Sequence, residues 1–194
     1  MRIKNILMGF MATMLLTACG GGDYSPKPKA YLRLDTPTVT YTWTDSLTLP
    51  FNFEKNDVAE LTVKKNTRHE VWVDLTYPQW DGVVFLTYRQ LRNADELRGQ
   101  TDTSTRLLEK HYQFASGIDE QVFESDDHTV HAVKWHLKGK NVASTYQFYA
   151  TDSTRHFLRG ALYINRAPNN DSLAPVLEYL QSDIDHLVET LRWR

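Results

Sequence analysis

Two hydrophobic periods divide this chain. In Glu70-Val71-Trp72-Val73-Asp74-Leu75-Thr76-Tyr77 the apolar and aromatic residues Val71, Val73, Leu75 and Tyr77 share one side of an extended chain, and Trp72 and Asp74 take the other. Tyr77-Pro78-Gln79-Trp80-Asp81-Gly82 carries turn chemistry, and Val83 to Tyr88 is again rich in β-branched and aromatic residues, which predicts a hairpin. Residues 94–114 look more helical, with Leu97, Leu107, Leu108 and Tyr112 as candidate buried positions and Gly99 weakening or breaking the first part. Three further strands are expected near 118–125, 129–138 and 142–151, with a tight turn at Gly139-Lys140-Asn141 between the last two. A fourth, Phe157 to Asn165, sets Leu158, Leu162 and Ile164 on one face and Phe157, Arg159 and Tyr163 on the other.

The clearest element comes last. Leu173, Val176, Leu177, Leu180, Ile184, Leu187, Val188 and Leu191 recur at spacings of three and four, the stripe of an amphipathic helix. Asp171 or Ser172 can cap it, Pro175 is expected in its first turn, and Glu178, Gln181, Ser182, Asp185 and Glu189 are assigned to solvent. Together these predict an α+β domain: an antiparallel sheet with the long C-terminal helix packed on one face.

The N-terminus changes the picture of where the domain resides. Arg2 and Lys4 precede an apolar run from Ile6 to Leu16, which ends in Leu16-Thr17-Ala18-Cys19 and then Gly20-Gly21-Gly22. That layout is an export signal over residues 1–18, with cysteine at the cut as in a lipobox, so Cys19 is the expected lipid-bearing first residue of the mature chain. A membrane span needs about 20 apolar residues, and this run, interrupted by Thr13 and Thr17, falls short. Cys19 is also the sole cysteine, so its acylation removes thiol chemistry from the mature protein. Residues 19–29, with three glycines and Pro26-Lys27-Pro28-Lys29, read as an extended tether, and residues 30–194 as a single globular domain. Removing Arg2 and Lys4 from the 22 basic side chains leaves 20 against 24 acidic ones, interspersed along the chain, a balance that does not suit nucleic acid.

Candidate chemistry is sparse. Phosphate-loop, dinucleotide-glycine and nucleophile-elbow patterns are missing. His128, His131 and His136 are the closest histidines, but the odd spacing of the first two on a strand is expected to send them to opposite faces, poor for one ion. Asp126-Asp127 reads as a solvated turn, and His186 as a packed or surface histidine. No cofactor is implied. The most distinctive stretch is Asp152-Ser153-Thr154-Arg155-His156-Phe157-Leu158-Arg159-Gly160-Ala161-Leu162-Tyr163. Its plainer reading is a solvated strand edge. The sharper one makes Arg155, His156 and Arg159, with Arg166 beyond, a docking patch for an acidic or aromatic partner surface. On one continuous strand Arg155 and Arg159 would share a face and His156 the other.

These residues carry a resemblance. From the lipobox through Asp23-Tyr24-Ser25-Pro26-Lys27-Pro28-Lys29-Ala30-Tyr31-Leu32-Arg33-Leu34-Asp35, and most of all over 151–193, including Asp171-Ser172-Leu173-Ala174-Pro175-Val176-Leu177, the chain resembles the GldD family of gliding-motility lipoproteins of Bacteroidetes-type bacteria. The resemblance implies a non-enzymatic envelope lipoprotein. It would act with the gliding apparatus and the associated protein-secretion machinery. Acylated Cys19 would hold it in a membrane, expected to be the outer one with the body facing the periplasm, because Gly20-Gly21-Gly22-Asp23 supplies one acidic residue and not an acidic cluster. In shape the element order is similar to the PsbP/Mog1-like α/β/α sandwich. Two function classes stay open on the residues: an assembly lipoprotein with protein partners, or a periplasmic small-ligand binder or enzyme using a cleft between sheet and helix.

Overall fold

A computed structural model describes residues 37–45, 47–165 and 170–194. The export signal 1–18, Cys19, the tether and Arg166 lie outside the described residues.

The alternating stretches form one seven-stranded antiparallel sheet. In chain order its strands are β4 (Glu60–Asn66), β5 (Glu70–Tyr77), β6 (Gly82–Gln90), β7 (Gly117–Glu124), β8 (His131–Lys138), β9 (Tyr146–Thr151) and β10 (His156–Ile164). They stand side by side as β4-β5-β6-β10-β9-β8-β7, so two meanders meet where β10 pairs with β6 over nine residues, from His156↔Gln90 to Ile164↔Gly82. The expected hairpin is β5–β6, closed by a 3-10 turn at Pro78–Trp80 with Asp81 left-handed at φ 52°. Ahead of the sheet, β1 (Tyr41–Trp43) pairs with β3 (Glu54–Asn56), and β2 (Phe51–Asn52) pairs with the last strand, β11 (Arg192–Trp193).

The two helices lie on opposite faces. Helix α2 (Asn170–Glu189) lays Val176, Leu180, Ile184, Leu187 and Val188 on Val73, Leu75, Val84, Leu86, Leu158 and Leu162 in one large core. Each of these side chains is at most 2 % exposed, and a fully buried Leu or Ile stabilises by about 1.5–3 kcal/mol relative to exposure. Gly160, in the middle of β10, has no substitute here: a Cβ would sit 2.1 Å from the ring of Phe148 on β9. Helix α1 (Ala94–Glu109) packs on the other face, where Leu108 joins Trp135, Leu137 and Val142 in a smaller cluster. The Asn93 side chain caps it by accepting the Glu96 amide at 2.9 Å, and the Glu96 carboxylate reaches back to the Arg92 amide at 2.8 Å.

Several local expectations are corrected. Helix α1 runs unbroken through Gly99, whose position has open space around it, because one glycine costs only about 1 kcal/mol of helix propensity. It ends at Glu109, before a separate 3-10 turn at Tyr112–Phe114, and Tyr112 is 46 % exposed rather than buried. The β8–β9 connection spans residues 139–145, longer than a three-residue turn, and β9 starts at Tyr146 rather than near 142. Helix α2 starts at Asn170, ahead of both proposed caps; the Asn170 amide group fastens it to the carbonyls of Gly139 (2.6 Å) and Val142 (3.0 Å). Pro175 is then the sixth residue, inside the helix. Asp185 is not solvated: it is half-buried and accepts hydrogen bonds from Lys134 and Tyr146 on the sheet.

Candidate functional site

At one end of the sheet the β9–β10 turn, the β7–β8 turn and strand β11 converge on a cleft of about 730 Å³. The β9–β10 turn is organised by one carboxylate. Asp152 Oδ1 accepts the amides of Thr154 (2.9 Å), Arg155 (2.8 Å) and His156 (2.8 Å), and Oδ2 accepts the Thr154 hydroxyl (2.7 Å). Ser153 takes the left-handed conformation at φ 65° that lets the chain wrap around that side chain. Burial acts to raise the Asp152 carboxyl pKa, but the amides and hydroxyl override it and hold it at about 2. Across the cleft Asp127 does the same for its own turn. It accepts the hydroxyls of Ser125 (2.6 Å) and Thr129 (2.8 Å) and the Thr129 amide (3.1 Å), which pull it to about 2.

Aromatic rings make the floor. Trp193 on β11 donates its indole N–H to the Thr129 carbonyl at 2.9 Å and stacks on His156 with centroids 5.1 Å apart. His156 Nδ1 is 2.9 Å from the Tyr88 hydroxyl. Burial depresses the His156 pKa and raises that of Tyr88 to about 12, so at neutral pH a protonated phenol faces a neutral imidazole.

The cations differ in how far their donors are used. Arg194 is bound to Asp45 at 2.6 Å and to the Leu47 carbonyl at 3.0 Å. Arg192 lies over the Trp43 ring, 4.5 Å from its centroid, which engages the flat face of the guanidinium and leaves its N–H edges. The Arg155 guanidinium is exposed and has no hydrogen-bond or ion-pair partner among the described residues. Asp152 accepts four donors over both of its oxygens and Asp127 three on Oδ1, while the N–H donors of Arg155 and Arg192 have no hydrogen-bond partner among the described residues. The cleft therefore suits a group that brings acceptors and negative charge, with a ring surface beside it.

The expected patch divides. Arg155 lies in the turn, because β10 begins only at His156, so strand alternation does not apply to it; Arg155 and His156 line the cleft together. Arg159 goes to the other face of the sheet, half-buried, donating to Gln147 Oε1 at 2.8 Å, with its pKa lowered by burial. Arg166 lies outside the described residues. The histidine reading also changes: His128 precedes β8 at φ 56°, and it and His131 both approach Glu124 Oε1, at 2.6 and 3.6 Å, instead of diverging. Among the described residues no group of three or more His, Cys, Asp or Glu is placed to hold a metal ion.

The remaining concentration of buried polar groups ties α2 down. Tyr77 donates to Asp183, which is 5 % exposed; Asn56 donates to the Tyr179 hydroxyl at 2.8 Å; and His186, stacked on Tyr41, meets Glu54 at 2.7 Å. Burial raises the Asp183 carboxyl above its ordinary pKa, against the hydrogen bonds that Tyr77, Asn56 and Tyr41 supply. This network is a seam between elements, with its groups satisfied by one another. A cavity at the first turns of α2 measures only about 10 Å³.

A family profile described as gliding motility lipoprotein GldD matches residues 21–193. No curated protein matches the chain.

Proposed function

We propose a role from one premise: this chain belongs to the family of gliding motility lipoproteins GldD. A lipoprotein family implies anchoring to a membrane of the cell envelope. On that basis the protein acts by contact, not turnover, in the assembly or operation of the gliding apparatus and its associated protein-secretion machinery. Acylated Cys19 is its membrane attachment, with several acyl chains giving stable anchorage, and the outer membrane with the body facing the periplasm is its place. The observation that carries the contact reading is the cleft: a turn preset by Asp152 presents Arg155, unpaired among the described residues, beside Arg192 and Trp193. Arginine and aromatic side chains are the residues enriched where proteins bind one another.

The test is in-cell crosslinking with the native lipidated protein, comparing wild type with the double variant Arg155→Glu/Arg192→Glu. Charge reversal adds repulsion as well as removing attraction. We expect the partner crosslinks to vanish while membrane location and melting temperature stay near wild type, since both side chains are exposed. A folded, membrane-located double variant that recovers the same crosslinked partners sinks the proposal.

A further inference from the structure

The two edges of the sheet are built differently. On the β4 edge the pairing with β5 slips between Val63 and Lys65, and Lys64 and Lys65 lie at that bulge. A bulge and lysines are common devices that stop a sheet from adding another strand. The β7 edge has neither. It pairs with β8 without a slip over eight residues, from Gly117↔Lys138 to Glu124↔His131. Its outward row of amides and carbonyls has no partner among the described residues. Between Glu120 and Glu124 on one face of this strand, Val122 is 77 % exposed, more than Trp72, Phe85 or Phe114.

Charge says what could lie there. β7 carries Asp119, Glu120 and Glu124 and no Lys or Arg. Lys138 meets Asp119 at 2.6 Å, but Glu120 is held by the neutral indole N–H of Trp135 at 2.7 Å and Glu124 by His128. The strand thus keeps an acidic edge with one apolar side chain in its middle. A second copy of β7 paired with Val122 opposite Val122 would set Glu120 against Glu124, and like charges directly opposite destabilise a strand pair.

We infer that β7 is a docking strand for an extended, basic segment of a partner protein, which adds to the sheet edge with an apolar residue beside Val122 and Lys or Arg beside the carboxylates. Backbone hydrogen bonds supply the hold, and the side-chain alternation supplies the choice of sequence. This surface is separate from the Arg155 cleft, and neither proposal depends on the other.

The test is fluorescence-anisotropy titration of the lipidated protein in detergent micelles with three labelled seven-residue peptides. One reads Thr-Lys-Thr-Val-Thr-Lys-Thr, with Val and both Lys on one face as Val122, Glu120 and Glu124 are (the Val/Lys peptide); one has Glu in place of both Lys (the Val/Glu peptide); and one is the Val/Lys peptide with alternate amides N-methylated so that it cannot pair on one edge. The Val/Lys peptide is expected to bind saturably, and the other two at least about tenfold more weakly, a factor of ten being 1.4 kcal/mol. Val122→Lys, at a site so exposed that folding is unaffected, should weaken the Val/Lys peptide by a similar factor; circular dichroism checks the fold. Equal binding of the Val/Glu or N-methylated peptide overturns the inference. So does undiminished binding to folded Val122→Lys, or no saturation by about 1 mM.

Discussion

The two faces of the sheet receive the same kind of covering and end in different states. On one, alternate residues of β5, β6, β9 and β10 meet the stripe of α2 and are shut away: Val71, Val73, Leu75, Tyr77, Val84, Leu86 and Leu158 are all at most 2 % exposed. On the other, α1 closes only over the β8–β9–β10 half, and the middle of β5 and β6 stays open to water, with Trp72 44 % and Phe85 42 % exposed. The cause is in the helices. The stripe of α2 buries five aliphatic side chains, Val176, Leu180, Ile184, Leu187 and Val188, whereas the middle of α1 reads Thr101-Asp102-Thr103-Ser104-Thr105 and Leu108 is its one fully buried aliphatic residue. A helix shields what its apolar face can reach, so fold stability should concentrate on the α2 side.

The sharpest way to break that comparison is to make equivalent truncations on both faces. Leu180→Ala, at the centre of the α2 contact, should cost about 4 kcal/mol, within the range for leucines whose cavity cannot collapse. Leu108→Ala should cost about 2 kcal/mol, because its cluster is small and bordered by half-exposed side chains that can close over the gap. Urea unfolding followed by circular dichroism measures both. If Leu108→Ala is as damaging as Leu180→Ala, the faces contribute alike and the asymmetry in burial is misleading.

A smaller effect distinguishes the faces by the sign of a pH dependence. Asp183, buried under α2, has its pKa raised chiefly by burial, so the folded protein keeps this proton to higher pH than the unfolded chain does. The folded state then binds more protons across the window from the ordinary carboxylate value up to the raised one, and stability from this group falls as pH rises through it. Asp183→Asn keeps an acceptor for Tyr77 without the charge. Relative to that variant, wild type should lose melting temperature from about pH 4 upward, as pH rises through the raised Asp183 value, and then run parallel to it. A gap that moves the other way would mean that the Tyr77, Asn56 and Tyr41 hydrogen bonds outweigh burial. Arg159, the half-buried charge on the α1 side, stays protonated throughout and adds no such slope.

The elements that sequence made legible are those with many repeats of one period. The β5–β6 hairpin and α2 each present four or more apolar residues in register, and both lie where expected. Tyr112 was misplaced because its four-residue spacing from Leu108 mimics a helix face, while the chain leaves the helix between them. Asp185 borders the α2 stripe and looks solvated until Lys134 and Tyr146 arrive from strands 51 and 39 residues away in the chain. The cleft was half visible. Arg155 and His156 stood out by composition, but their neighbours come from elsewhere: Trp193 bonds to Thr129 across 64 positions. Arg192-Trp193-Arg194 carried a signal, an alternating charged-aromatic-charged run after the last apolar residue of the helix, which looks like a frayed helix end unless its pairing with β2 is known. Strand alternation joins Arg159 to Arg155 only if it continues one residue ahead of His156, across the point where the turn gives way to the strand.

The least disruptive substitution is also the one that most sharpens the contrast between faces. Phe85 is central in β6, flanked by Val84 and Leu86, which are at most 1 % exposed, yet its own ring is 42 % exposed and points away from α2. Its cross-strand neighbours are Asp74 on β5 and Ala161 on β10, and its aromatic contact is a tilted approach to Tyr163 at 5.7 Å between centroids. Exchange to Thr replaces one strand-favouring type, an aromatic, with another, a β-branched residue, so strand preference is preserved while the ring contact and partial burial are removed. An aromatic pair is worth about 0.5–1.5 kcal/mol beyond its area, and less where water reaches both rings. Phe85→Thr should therefore cost under about 1 kcal/mol, while the adjacent Leu86→Ala, one residue along on the same strand, should cost about 2–5 kcal/mol. The pair shares a strand and differs only in face. Equal losses in urea midpoints would show that Phe85 packs against something that closes the open half of the sheet in solution. A small loss for Phe85→Thr beside a large one for Leu86→Ala would confine the cohesive work to the α2 side and leave the outer face of β5 and β6 a surface with little part in holding the fold.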